Sequence, residues 1–190
     1  MKRFVALMMC VVSLFYSTLA QVIPDPPVVI GDEEACEGEN TTFTVSPMQG
    51  ATVEWWDDAV GGTLLAETES YTTPPLEVGG YDFYVNQVFE GIASQRSHVQ
   101  LVVFAKPTIS TSTNSGVFCQ GDLVEFVFDG ASLYDVSLNG TLTDQVQSEA
   151  GTTQASINYT VNESTSFQVV GYLNGCQSTN NLHVLSLIHI

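Results

Sequence analysis

The sequence predicts an all-β chain, with two β-sandwich domains in tandem behind an N-terminal signal peptide. Three observations carry this. A set of residue clusters recurs once along the chain at a spacing of 83 to 84 positions. Short runs rich in β-branched and aromatic residues alternate with Gly, Pro and Asn turn signals, the pattern of short strands. The first 20 residues have the layout of a secretory leader.

The leader opens with the basic Met1-Lys2-Arg3 and runs apolar from Phe4 to Tyr16. It closes on Ser17-Thr18-Leu19-Ala20, with small residues where a signal peptidase reads. The apolar run is shorter than the roughly 20 residues of a spanning helix, so residues 1–20 are read as a cleaved signal and not an anchor. Cys10 lies inside this segment and leaves with it. Leu7-Met8-Met9 before it lacks the small residue that lipoprotein cleavage requires. Residues 21–27 hold three prolines and read as an extended leader.

The repeat defines the two units. Cys36-Glu37-Gly38 followed by Phe43-Thr44-Val45 is matched by Cys119-Gln120-Gly121 followed by Phe126-Val127-Phe128. Near the end of each unit, Glu90-Gly91-Ile92-Ala93-Ser94 is matched by Asn174-Gly175-Cys176-Gln177-Ser178. Such a period implies two copies of one supersecondary plan. The units are placed at residues 28–105 and 106–184. Pro107, in Ala105-Lys106-Pro107, ends the last strand of the first unit and stiffens the joint.

Within unit 1 strands are expected at 41–45, 52–56, 81–88 and 97–104, separated by Gly61-Gly62, Thr73-Pro74-Pro75, Gly79-Gly80 and Glu90-Gly91. Within unit 2 they are expected at 123–128, 133–138, 153–161, 166–172 and 181–185, with turns at Asp129-Gly130, Asn139-Gly140, Gly151 and Asn174-Gly175. Turns every 8–12 residues favour a sandwich or barrel. Residues 185–190 depart from the strand pattern. They read either as translated sequencing-adapter read-through or as a final strand with an apolar edge.

Composition bounds the partners. Beyond Ala20 the only basic residues are Arg96 and Lys106, against 21 acidic residues, a formal net charge of −19 with neutral histidines. Such a field repels nucleic acid and anionic lipid. At 44% hydrophobic and 10% aromatic the chain can still build cores. No stretch after the signal is long and apolar enough for a transmembrane helix.

The Cys-x-Gly openings, Trp55-Trp56, Gly61-Gly62, Tyr81-Asp82-Phe83-Tyr84-Val85 and Asn174-Gly175-Cys176-Gln177-Ser178 together resemble the immunoglobulin-like and PKD-like repeats of Bacteroidota secreted surface proteins. These include adhesin and gliding-associated cargo of type IX secretion. The first unit departs at Ile92, where the family usually has cysteine, and the second lacks the tryptophan pair. The resemblance implies immunoglobulin-like sandwiches and export through the periplasm to the exterior or the cell surface. Function is weakly implied, since such folds host many roles.

Three cysteines remain after the signal, an odd count for an oxidising compartment. Cys119 and Cys176 are the expected pair, worth roughly 2–4 kcal/mol, and Cys36 is expected as an unpaired, partly buried thiol. One tension stands against this. In an up-and-down sandwich the turn after the first strand and the last hairpin turn lie at opposite ends. A disulfide needs Cα atoms within about 7 Å.

Trp55 and Trp56 are adjacent on a strand and therefore face opposite ways. One is expected in the core. The other is a candidate for stacking on a sugar ring or a partner, or for packing under the 57–65 loop or against the neighbouring domain. Asp32-Glu33-Glu34 and Asp57-Asp58 lack the spacing of a calcium loop and read as solvated acidic surface. No metal or cofactor is expected. His98 and His183 are isolated, and no Gly-x-Ser-x-Gly elbow or Gly-rich phosphate loop occurs. No catalytic residue is assigned. The sequons at Asn40, Asn139, Asn158 and Asn162 are treated as turn and edge residues.

The sequence therefore reads as a non-enzymatic extracellular binding or spacer module of a larger secreted bacterial surface protein, serving adhesion or display. Its partner would be a protein or polysaccharide at the cell surface. The alternative is an accessory region, including a carbohydrate-binding one, of a secreted enzyme whose catalytic domain lies beyond residue 190.

Overall fold

A computed structural model describes residues 22–112 and 116–187. The signal peptide expected at 1–20 lies outside these residues, as does the end of the tail at 188–190. The described residues are all-β, and two units follow one strand plan.

Unit 1 comprises β1 (Val29–Ile30), β2 (Glu34–Cys36), β3 (Thr42–Val45), β4 (Thr52–Trp56), β5 (Leu64–Ala66), β6 (Ser70–Thr72), β7 (Gly79–Phe89), β8 (Ile92–Ala93) and β9 (Ser97–Phe104). One sheet has the order β1-β3-β6. The other runs β2-β9-β7-β4-β5, with β8 folded back on β7. Unit 2 comprises β10 (Ser110–Thr111), β11 (Gly116–Cys119), β12 (Leu123–Asp129), β13 (Leu133–Leu138), β14 (Thr141–Gln147), β15 (Ala155–Thr160), β16 (Thr165–Leu173) and β17 (Cys176–Leu187). Its sheets are β10-β12-β15 and β11-β17-β16-β13-β14. The two orders correspond strand for strand, so both units are immunoglobulin-like sandwiches.

Alternation explains the two-layer packing. Along β3 the apolar Phe43 and Val45 are buried while Thr42 and Thr44 face water. Along β9 Val99, Leu101 and Val103 point inward. Period-2 alternation puts each set on the inner face of its own sheet, so the two sets meet across the core. In unit 1 they enclose Trp55, which is 0% exposed. Its ring packs against Phe43 and Tyr71, at centroid distances of 6.3 and 5.8 Å. Its indole N–H donates to the Thr68 carbonyl at 2.9 Å, which satisfies the buried donor.

Unit 2 has no tryptophan here. Trp55 pairs across the sheet with Val85, and the equivalent pair in unit 2 is Val136 with Val169. The lost volume is filled from other strands. Phe126 packs on Phe167 at 4.7 Å and Phe128 on Tyr134 at 5.6 Å. The Tyr134 hydroxyl donates to the Thr153 carbonyl and accepts from the Ala131 N–H. The two cores share no residue.

Three two-residue hairpins close on Glu90-Gly91, Asn139-Gly140 and Asn174-Gly175, with both residues of each at positive φ. That is the turn whose twist matches paired strands. The first strand of each unit is split between sheets. Its second half, β2 or β11, runs parallel to the last strand of the unit. Cys36 therefore lies opposite Phe104, and Cys119 opposite Leu187, where the last strands end. β17 continues past Val184 to Leu187, and its final residues pair with β11.

The proline-rich leader is tied to unit 1. Pro24 and Pro27 are buried. The Asp25 carbonyl accepts from the Gln87 amide at 2.6 Å, and the Pro27 carbonyl accepts from the Ser97 hydroxyl at 2.5 Å.

Candidate functional site

Two places combine unusual chemistry with a defined geometry: the joint between the units and the outer face of the larger sheet of unit 1.

At the joint, Cys36 is bonded to Cys176, with Cα atoms 5.5 Å apart. This corrects the expected Cys119–Cys176 pair and the expected unpaired Cys36. Cys119 is the cysteine outside the bond. The reason is the length of β17. Cys119 sits opposite Leu187 at one end of that strand and Cys176 begins the other end. A 12-residue strand spans about 36 Å at roughly 3.3 Å per residue, far beyond disulfide reach. The chain leaves unit 1 beside Cys36, at the end of β9, and the last hairpin of unit 2 returns to that same level. Asn174-Gly175 turns there and delivers Cys176 to Cys36. The Cys176 sulfur also lies 3.8 Å from the Phe104 carbonyl oxygen and 3.9 Å from that of Ala35. These are packing contacts, since a disulfide sulfur carries no hydrogen.

Two further features lie at the joint. Lys106 forms an ion pair with Glu39 at 3.3 Å, both half-exposed; such pairs contribute at most about 1 kcal/mol. A cleft of about 530 Å³ opens beside the disulfide, lined by residues 31–36 with Asn174 and Gly175. Asp32, Glu33 and Glu34 face it. Among the described residues, no group of three or more His, Cys, Asp or Glu could hold a metal ion.

The second place is built on β4, β7 and β9. Trp55 is the core residue, so of the two stacking candidates only Trp56 is outward. It is half-buried. Its indole N–H donates to the Asn86 side-chain oxygen at 2.8 Å, and Asn86 in turn donates to Glu54 at 3.0 Å. The Arg96 guanidinium covers the Trp56 ring, 4.1 Å from its centroid. Arg96 also donates to the carbonyls of Asp58 and Gly61, which locks the 57–65 loop over the indole. Beyond Trp56, Tyr84 stacks on His98 at 5.0 Å, and the His98 ring nitrogen lies 2.6 Å from Asp82.

This cluster was only partly readable in advance. Arg96 lies where the unit-1 strand breaks between β8 and β9, whereas β17 is continuous in unit 2. The break aims Arg96 at Trp56. Asp57 accepts from the Thr63 N–H at 2.5 Å, and that bond is the main cause of its carboxyl lying below the usual range. The Asp57-Asp58 pair thus shapes its own loop.

Residues 24–104 match the family model described as Ig-like domain CHU_C associated. The comparison with curated proteins gave no match. Among solved structures, the chain is similar to the Clostridium thermocellum CbhA fibronectin(III)-like modules, at 14% identity and a TM-score of 0.50. That alignment covers 85% of this chain and 95% of that one. It is also similar to a chain of the crystal structure of a mouse coronavirus receptor-binding domain complexed with its murine receptor, at 11% identity and a TM-score of 0.47, covering 84% and 100% of the two chains. Identities this low speak to fold alone. Immunoglobulin-like and fibronectin-like domains are in general non-catalytic and commonly mediate protein interactions. Among the described residues no helix is long and apolar enough to cross a membrane, and a disulfide-bonded chain of this class fits an extracellular setting.

Proposed function

We propose that the chain is a non-enzymatic extracellular module whose two sandwiches act as a stiff spacer within a larger exported surface protein, serving adhesion or display. The observation that carries this reading is the bond between Cys36 and Cys176 across the short joint of residues 105–109. A peptide joint alone allows two sandwiches to swing. A second covalent tie at the same level removes most of that freedom. The spare carboxylates and the net charge of −19 beyond the signal keep such a spacer soluble and away from anionic surfaces. The leader-like sequence at residues 1–20 and the disulfide support a reading in which the chain is exported from the cytosol.

The test is small-angle scattering on the purified chain, oxidised and then reduced. A single narrow size distribution that broadens on reduction supports the spacer. A broad distribution in the oxidised chain sinks it.

A second reading, an accessory or carbohydrate-binding role for unit 1 beside an enzyme, rests on the shallow hollow next to Trp56. It is lined by Ala59, Val60, Gly61, Tyr84 and residues 94–96, and Val60 at its edge is 86% exposed. Arg96 already occupies one face of the indole, which leaves little ring for a sugar. A glycan array on the intact chain decides this reading: signal lost in Trp56→Ala supports it, and no signal above background ends it.

A further inference from the structure

We infer that the outer edge of β14 is a docking site for an extended strand of another protein, one that carries a basic and an apolar residue two positions apart on one face. The inference goes beyond the spacer reading and stands whether or not the joint is stiff.

β14 ends its sheet and is paired on one side only, with β13. Its regular stretch is short. Val136 pairs with Asp144 and Ser137 with Leu142, which leaves Thr143 as a bulge. Beyond the bulge, the Ser148 N–H donates to the Ser132 carbonyl at 3.0 Å. In an antiparallel pair both main-chain groups of a residue point the same way, and the direction alternates along the strand. Val146 and Ser148 therefore face β13, while Gln145 and Gln147 turn their N–H and C=O groups outward. Glu149 closes the edge, because its N–H donates to the Gln154 carbonyl. Two donors and two acceptors in register form a template for one added strand.

Edge strands are commonly guarded by lysine, by proline or by short length. β14 contains neither residue and runs for seven positions. The equivalent edge of unit 1, β5, has three. There the chain crosses promptly to β6, and the Thr68 carbonyl on the way accepts from the Trp55 indole. In unit 2 a cleft of about 390 Å³ lies beside β14, with Val127, Val146, Gln147, Glu149 and Ala155 in its wall.

The side chains set the chemistry of the partner. Directly opposed residues share a face. Asp144 stands opposite the buried Val136, and Val146 opposite the buried Tyr134, so both lie on the inner side. Gln145 lies on the outer side, where its amide donates to Asp135 at 2.8 Å. An added strand therefore sets one residue against the exposed Asp144 and the next on that face against Val146. The first is basic and the second apolar. Residues 107–187 hold seven carboxylates and no lysine or arginine, so an acidic strand is repelled. A second copy of this chain brings the same carboxylates to the edge and is disfavoured for that reason.

The probe is a labelled seven-residue peptide with threonine at its odd positions, valine at the second, and lysine at the fourth and sixth. Fluorescence anisotropy follows its binding to the oxidised chain. A Kd on the order of 100 μM is expected, weakening as salt rises, with slowed hydrogen exchange at the Gln145 and Gln147 amides. Methylating the peptide's main-chain nitrogens keeps its charge and removes its donors, and affinity should fall at least about tenfold. Asp144→Lys should weaken the lysine peptide by about as much and favour a peptide with glutamate in place of lysine. Gln147→Pro should also weaken binding with the melting temperature unchanged, since proline is tolerated where the N–H faces solvent. Equal affinity of the methylated peptide, or no response to Asp144→Lys, would overturn the inference, because binding would then be diffuse attraction to an acidic chain. So would no binding up to about 1 mM peptide, or self-association of the chain that the peptide competes away.

Discussion

Replacing Cys176 by serine removes the tie between the units, and its cost can be worked from the fold. The two cores share no residue, so each sandwich unfolds against a folded neighbour. When unit 2 unfolds with unit 1 intact, the disulfide and the end of β9 close a loop from Phe104 to Cys176, which are 72 residues apart. The loop-closure relation gives about 4.4 kcal/mol for a loop of that size at 25 °C. Measured effects commonly fall short of this ceiling, so a loss of about 2–4 kcal/mol is expected. For a unit of this size that corresponds to a fall in melting temperature on the order of 10–20 °C. Scanning calorimetry of the oxidised chain, Cys36→Ser, Cys176→Ser and Cys119→Ser gives the comparison. The first two variants should fall together and Cys119→Ser should stay within about 2 °C of the parent. If Cys119→Ser fell with Cys176→Ser while Cys36→Ser did not, the assigned connectivity and the reasoning from strand length would both be refuted.

Three other outcomes are expected. Gly130→Ala should lose at least about 2 kcal/mol in urea unfolding, because a Cβ there would lie 2.1 Å from the Thr108 carbonyl oxygen at a φ of 105°. Trp55→Ala should cost about 3–5 kcal/mol by the same measurement, while Trp56→Ala should cost under about 1.5 kcal/mol; equal losses would contradict the opposite facing of the pair. The Asp129 carboxyl is held below its usual range, first by the Thr153 hydroxyl and then by the Gln154 amide. Asp57 is held low by Thr63. A depressed folded-state pKa adds stability above the unfolded value and loses it as pH falls through the folded one. Melting temperature should therefore decline below about pH 4, and less steeply in Asp129→Asn. An unchanged slope in that variant would remove Asp129 from the explanation.

The strands that were legible from sequence are those with clean alternation. β4, β9 and β13 have the ends that their β-branched and aromatic runs suggest. β2 and β11 were not legible, because three or four residues at a sheet edge carry no period. β14 was missed for a different reason: Thr141–Gln147 is almost wholly exposed, so its polar sequence has no buried face to report. The cysteine pairing failed because repeat logic was applied within a unit. The conflict over opposite ends of the sandwich was the correct signal, and it pointed across the joint. The Trp56 cluster depended on Arg96, which is distant in sequence and aimed by an interruption between strands that composition does not mark.

The position of the disulfide also governs how the chain answers a pulling force. Tension applied before Cys36 and after Cys176 passes from β2 to β17 through the sulfur bridge. The 140 residues of separation between the two cysteines are bypassed. Fully extended, that segment would measure about 490 Å at roughly 3.5 Å per residue. None of this length can be released while the bond is intact, even if both cores melt. Reduction converts the same polypeptide from a nearly inextensible link into one with a large reserve of slack.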